Sequence, residues 1–159
     1  VQDGLDIRNW SIRDFNGNGV AQIPLAFANS PLWSNLKKGT VIVIGRSENI
    51  FNEDLDPSDY TLTLKSNNSI YLSGTVFSIA GASDAVQIRN SAQVHVHGIS
   101  WGSANAASLP DPKIHFTTAS SSNTSTYFNE DAVSKLSVLT NWTQNGATSS
   151  RGIGNTPNN

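Results

Sequence analysis

The sequence contains no Cys and no Met, little charge and no long apolar run. Each shortage excludes something. Without Cys there are no disulfide staples and no thiolate metal sites. Ten basic residues stand against twelve acidic ones for a net charge of −2, which leaves no electrostatic footprint for nucleic acid or an anionic membrane. Runs such as Val41-Ile42-Val43-Ile44 fall far short of the ~20 residues of a bilayer span, so membrane insertion is not expected. A ribosomal product begins with Met, so its absence predicts a leader removed before Val1 or a chain that is a fragment. No G-x-S-x-G elbow is present, and no enzyme activity is expected.

What is abundant is neutral and polar. Asn, Ser and Thr make up 52 of the 159 residues, short side chains that lose little rotamer entropy when ordered. Such a composition suits an exported protein, extracellular or held at a cell surface. The length fits one domain over residues 1–159.

Along the chain, short stretches rich in Val, Ile, Thr and aromatics alternate with Gly, Asn and Pro. Leu5 and Ile7 share one parity and Trp10 and Ile12 the other, which predicts a strand bulged near Arg8-Asn9. Asn16-Gly17-Asn18-Gly19 has the chemistry of a hairpin turn, with Val20 to Leu25 returning and ending near Pro24. Thr40 to Ile44, apolar on both faces, reads as a central strand. Further strands are expected around Tyr60–Leu64, Ile70–Leu72, Val76–Ile79, Val86–Arg89, Val94–Ser100 and Lys113–Phe116. Residues 102–112 and 117–127 read as loops. Asp131 to Leu139, with Asn129 as its cap, is the one helical candidate, although Leu136 and Val138 fit a strand equally well. The tail from about 145 should run irregularly. About eight short strands with frequent turns predict an all-β sandwich or barrel.

Several of these segments together resemble lamin tail domains. Leu5-Asp6-Ile7-Arg8-Asn9-Trp10-Ser11-Ile12-Arg13-Asp14 followed by Asn16-Gly17-Asn18 is similar to the Trp strand and Gly/Asn turn near that family's start. Leu36-Lys37-Lys38-Gly39-Thr40-Val41-Ile42-Val43-Ile44 resembles its Gly turn entering a buried strand. Ser83 to Asn90 with Val94 to Trp101 resemble a later hairpin, and Trp142 with Gly154-Asn155-Thr156-Pro157-Asn158 the closing run. The resemblance implies an immunoglobulin-like β-sandwich used as a binding or structural module, with no shared catalytic residues. Family members begin with a strand bearing an "N-E" pair before the Trp strand. Here only Val1-Gln2-Asp3-Gly4 precedes Leu5. The first strand is therefore expected to be trimmed away, replaced in cis, or donated by a neighbouring copy.

Candidate sites compete with plainer readings. Asp14-x-Asn16-x-Asn18-Gly19 matches the first half of a calcium-binding EF-hand loop, but its twelfth position is Leu25 and not a bidentate Glu; a hairpin turn explains it too. Glu53-Asp54-Leu55-Asp56-Pro57-Ser58-Asp59 is either a second calcium loop or a solvated acidic loop. His95 and His97 alternate along one expected strand, so both should project from one face, where His115 would complete a transition-metal set; a solvent-facing surface is the plainer reading. Trp10, Trp33, Trp101 and Trp142 are either a sugar-binding platform or core. Sequons start at Asn9, Asn67, Asn123 and Asn141.

The function expected from the sequence is a self-associating extracellular subunit of a filament or matrix, joined by edge-strand complementation. The alternative is an accessory domain of a larger secreted enzyme that binds carbohydrate or calcium. No cofactor is expected; calcium, at Asp14, Asn16 and Asn18, is the alternative.

Overall fold

The computed structural model describes residues 4–46, 51–74, 78–103, 108–121, 124–130 and 133–146. The strands are β1 (Ser11–Phe15), β2 (Leu25–Phe27), β3 (Val41–Gly45), β4 (Thr61–Lys65), β5 (Leu72–Gly74), β6 (Asp84–Arg89), β7 (His95–Trp101), β8 (Lys113–Phe116), β9 (Ser125–Phe128) and β10 (Trp142–Gly146). No α-helix forms among the described residues. The fold is all-β, as the spacing of apolar residues predicts.

Six strands make one sheet in the order β5-β2-β1-β6-β7-β8, antiparallel throughout except for the parallel pair β7–β8. The other four form two separate pairs, parallel β3–β4 and antiparallel β9–β10. Because strand side chains alternate, the register sorts the large sheet into two faces. Ile12 and Asp14, Asp84 and Val86, Ile99 and Trp101, and Ile114 and Phe116 point one way. Ser11 and Arg13, Gln87 and Arg89, Gly98 and Ser100, and Lys113 and His115 point the other.

The inner, apolar face is covered in two places. At the β2 end, Leu62 and Leu64 of β4 pack on Leu25, Phe27, Leu72 and Trp33, with Ile42 and Ile44 of β3 against the same cluster. At the β8 end, Trp101, Ile114 and Phe116 pack with Trp142 of β10. Burying each large apolar side chain contributes about 2 kcal/mol, so each pair is held chiefly by the cluster beneath it. Three indole N–H groups fasten loops to these clusters. Trp33 donates to Tyr71 O, Trp101 to Ala80 O and Trp142 to Leu136 O, at 2.8–2.9 Å. A buried Trp needs such a partner, and here the acceptor in each case lies outside the strands.

Several expectations change. Among the described residues Thr40 to Ile44 is not central: β3 occupies Val41–Gly45 and has a single strand neighbour, β4. The Leu5–Arg13 parity switch is a turn and not a bulge, for Asn9 adopts a positive φ of 61° and Trp10 N–H bonds Ile7 O. The Asn16–Gly19 turn forms, but the return is only a bridge from Ala21 to Phe15, and β2 begins after Pro24. Pro lacks the N–H a continued ladder needs. Residues 133–141 make 3-10 turns, Val133–Lys135 and Leu139–Asn141, in place of a helix. Their carbonyls are drawn elsewhere: Lys135 O accepts Val138 N–H and Leu136 O accepts the Trp142 indole. Asn129, the expected cap, bonds Thr143 Oγ1 across the β9–β10 pair. Part of the expected 117–127 loop is β9, and the tail becomes irregular no earlier than Gly146, since β10 runs to that residue. The helix candidate's first residues, the Val76–Ile79 strand before Ser78, and the closing Gly154–Asn158 run lie outside the described residues.

Candidate functional site

The feature that sets this molecule apart is the outer edge of β3. Val41 N–H donates to Tyr60 O and Ser66 N–H to Gly45 O, both at 2.8 Å. In a parallel ladder, bonding to one neighbour uses alternate residues, so Val41, Val43 and Gly45 serve β4. Ile42 and Ile44 direct their N–H and C=O groups to the open side, where no backbone partner exists among the described residues. The Ile42 and Ile44 side chains reach the core cluster below, and all five residues of β3 are half-buried. Open edges are ordinarily guarded by Lys, Pro, a bulge or shortness. β3 has none of these: it is five residues of Val, Ile and Gly in unbroken register.

Between the six-stranded sheet and β9 lies a cleft of about 530 Å³. Val86, Ile99 and Trp101 line its apolar side and Ser120, Thr124 and Thr126 its hydroxyl side, with no charged residue in the lining among the described residues. These residues offer neutral hydrogen bonding and apolar contact, and none of them is an acid or base. Near it two carboxyl groups, Asp14 and Asp84, are almost wholly buried side by side on β1 and β6. Asp14 accepts the N–H groups of Phe15 and Ser78, and Asp84 those of Ala80 and Ala85. Burial, aided by the adjacent Asp14 charge, pushes the Asp84 carboxyl above the usual carboxylate range, against the pull of its two N–H bonds. Together they anchor residues 78–85 onto the sheet.

The sequence-level candidates scatter. Asp14 turns inward, whereas Asn16 Oδ1 accepts Asn18 and Val20 N–H at 3.0 Å and holds the turn. Asn18 is exposed at its tip. In the acidic run three carboxylates serve local turns, Asp54 accepting Asp56 N–H, Asp56 Ser58 N–H and Asp59 Thr61 N–H, while Glu53 reaches across to accept Lys65 N–H at the end of β4. The Ser58 bond lowers the Asp56 pKa. Among the described residues no three His, Asp or Glu side chains converge as a metal set.

The histidines do not share a face. The β6–β7 register slips between Ile88 and Arg89, so Ile88 opposes His97 while Arg89 opposes His95. The extra residue, Val96, puts His95 and His97 on opposite sides of the sheet. His97 stacks on Trp142 at 6.2 Å with rings 12° apart, and burial lowers its pKa, with His95 adding to the effect and the Leu136 backbone opposing it. His95 bonds Gln87, and His115 Nδ1 bonds the buried Ser100 Oγ at 2.9 Å.

The Trp platform is likewise dispersed, since Trp33 and Trp101 are buried and Trp10 and Trp142 pack at the margins of the two clusters. Of the sequons, Asn9 and Asn67 are exposed, Asn141 Nδ2 bonds Lys135 O, and Asn123 lies outside the described residues. No helix among the described residues is long and apolar enough to cross a membrane.

No family model, no curated protein and no solved structure matches the chain.

Proposed function

We propose that this chain is an extracellular structural module that associates with other copies of itself by strand addition at β3, and that it performs no chemistry. One observation carries the reading: the most continuously apolar strand of the molecule stands at an edge with its outward N–H and C=O groups unpaired among the described residues. Strand addition joins backbone groups to backbone groups and lets alternate side chains choose the partner. The 14% charged composition supports the reading, because little like-charge repulsion opposes close packing of identical copies. The likeness of Leu5–Asp14 and Leu36–Ile44 to lamin tail domains, a family of binding and structural modules, points the same way. A contact between β3 and a different segment of the next copy is heterologous and propagates into a filament unless its rotation closes.

The test is sedimentation and negative-stain imaging of the purified chain beside Val43→Lys. Val43 lies on the strand surface away from the core cluster, so a Lys there guards the edge without disturbing Leu62 and Leu64. The wild type is expected to form filaments or large particles and the variant to remain monomeric with an unchanged circular dichroism spectrum. A wild type that stays monomeric at millimolar concentration, or a variant that assembles as well as the wild type, overturns the proposal.

A further inference from the structure

On the outer face of the six-stranded sheet, away from β3, the residues form a cationic patch. The strand register puts the cations Arg13, Arg89 and Lys113 on this face, where the rings of His95 and His115 lie beside them as hydrogen-bonding groups, His95 to Gln87 and His115 to Ser100. No acidic side chain occurs at the strand positions of this face. Arg13 lies directly opposite Gln87 and one diagonal step from Arg89.

Arg89 is held in place by buried groups. Its Nε donates to Gln87 Oε1 at 2.7 Å, which fixes the Gln87 amide so that Nε2 donates to His95 Nδ1 at 2.8 Å. His95 then carries its proton on Nε2 and donates to Pro112 O at 2.9 Å. Gln87 is fully buried, so this relay is a rigid support. It uses the Nε of Arg89 and leaves the outer edge of the guanidinium with only a long 3.5 Å contact to Gln93 O. Arg13 is less satisfied still: its Nε is buried with no hydrogen-bond partner, and the guanidinium makes no ion pair among the described residues. With Arg89 oriented by a buried relay and Arg13, one diagonal step away, bonded to no protein group among the described residues, an anion between them would supply the partners both guanidinium groups lack.

We infer that Arg13 and Arg89 form a binding site for an oxyanion, the carboxylate or sulfate group of an acidic saccharide. The planar, always-charged fork of Arg matches such groups in pairs. The rim is polar: Ser11 Oγ bonds Gln93 Oε1, and exposed Ser91 and Gln93 stand at the β6–β7 turn, where sugar hydroxyls find donors and acceptors. A docked protein would instead need apolar surface at the centre of the contact. This inference does not depend on the role given to β3.

The experiment is a titration of the ¹⁵N-labelled chain with sodium glucuronate and with glucose-6-sulfate, using glucose and sodium chloride as controls. Saturable shifts are expected at residues 11–13 and 87–93 and at the two Arg Nε–H signals, with affinity falling as salt rises. Arg13→Gln, which loses no hydrogen bond in the fold, is expected to weaken binding by about tenfold or more. Arg89→Lys keeps the charge but not the fork, so it separates geometry from charge; it is expected to weaken binding similarly. Three outcomes overturn the inference: no saturable shift, shifts equal for glucose and glucuronate, or shifts that survive Arg13→Gln. If instead Arg13→Gln abolishes self-association and glucuronate disperses it, the oxyanion belongs to a neighbouring copy and the saccharide assignment is wrong.

Discussion

The two ends of the large sheet and the outer edge of β3 treat exposed backbone in opposite ways. β5 spans three described residues, Leu72–Gly74, and Gly74 has a positive φ of 105°. β8 is four residues long, begins with a Lys and pairs parallel to β7. Among the described residues both are short edges that give an incoming strand little to extend. β3 is longer, apolar and unguarded. Beside the two short border strands of the large sheet, the length and apolar character of the β3 edge are the strongest physical argument for contact at β3.

The largest effect expected from breaking this contrast is at Gly74. A Cβ there would sit 1.9 Å from Pro24 O, a backbone atom that cannot swing aside, and φ is already unfavourable for an L side chain. Gly74→Ala is expected to cost about 3 kcal/mol, read as a lowered midpoint in denaturant unfolding. At the end of β3, a Cβ on Gly45 would meet the Phe51 ring at 2.3 Å, a side chain that can rotate. Gly45→Ala is expected to cost about 1 kcal/mol, and a larger loss than Gly74→Ala would show the β3 end to be the more rigid of the two.

A smaller effect is expected from pH at the β9–β10 end. Burial keeps the His97 pKa below its unfolded value, so its contribution is present above the unfolded pKa and lost as pH falls through the folded one. Acidification from pH 7 should therefore lower the melting temperature, with loosening of the Trp142 stack visible as a change in indole fluorescence. Asp84 acts in the opposite sense: its raised pKa gives stability present below the unfolded value and lost as pH rises through the folded one. Replacing His97 with Phe isolates the two, and a variant that keeps the full acid loss would remove His97 as the cause. The smallest effect belongs to Val43→Lys, within about 0.5 kcal/mol for the monomer, because Val43 is only half-buried and lies off the core cluster.

Strands whose side chains alternate were legible from the sequence. β4, with buried Leu62 and Leu64 between half-buried Thr residues, is the clearest, and β8 follows the same logic, whereas β6 departs from it: Gln87 is buried and Ile88 is exposed, because both faces of the sheet are partly covered there. β9 and β10 were not legible as strands, because Ser125-Thr126-Tyr127-Phe128 and Trp142-Thr143-Gln144-Asn145-Gly146 have no apolar period. Tertiary bonds hold them instead: Trp142 to Leu136 O, Asn129 to Thr143, and Gln144 and Asn145 to the 118–121 segment. Composition identified Val41–Ile44 as a strand but could not show whether it lies inside a sheet or at its border, since that depends on which segments arrive beside it. The histidine geometry turned on one inserted residue, Val96, and a bulge of that kind leaves no mark in the residue types. The Arg13–Arg89 patch was hidden for the same reason: it exists only once β1 and β6 are in register.

Val, Ile, Val, Ile in succession is what the middle of a sheet requires, and here it lies along a border. A guest strand laid against Ile42 and Ile44 would find the host already in its final shape. The ordering entropy of joining would then fall mostly on the newcomer, and growth would be governed by how readily a free segment extends.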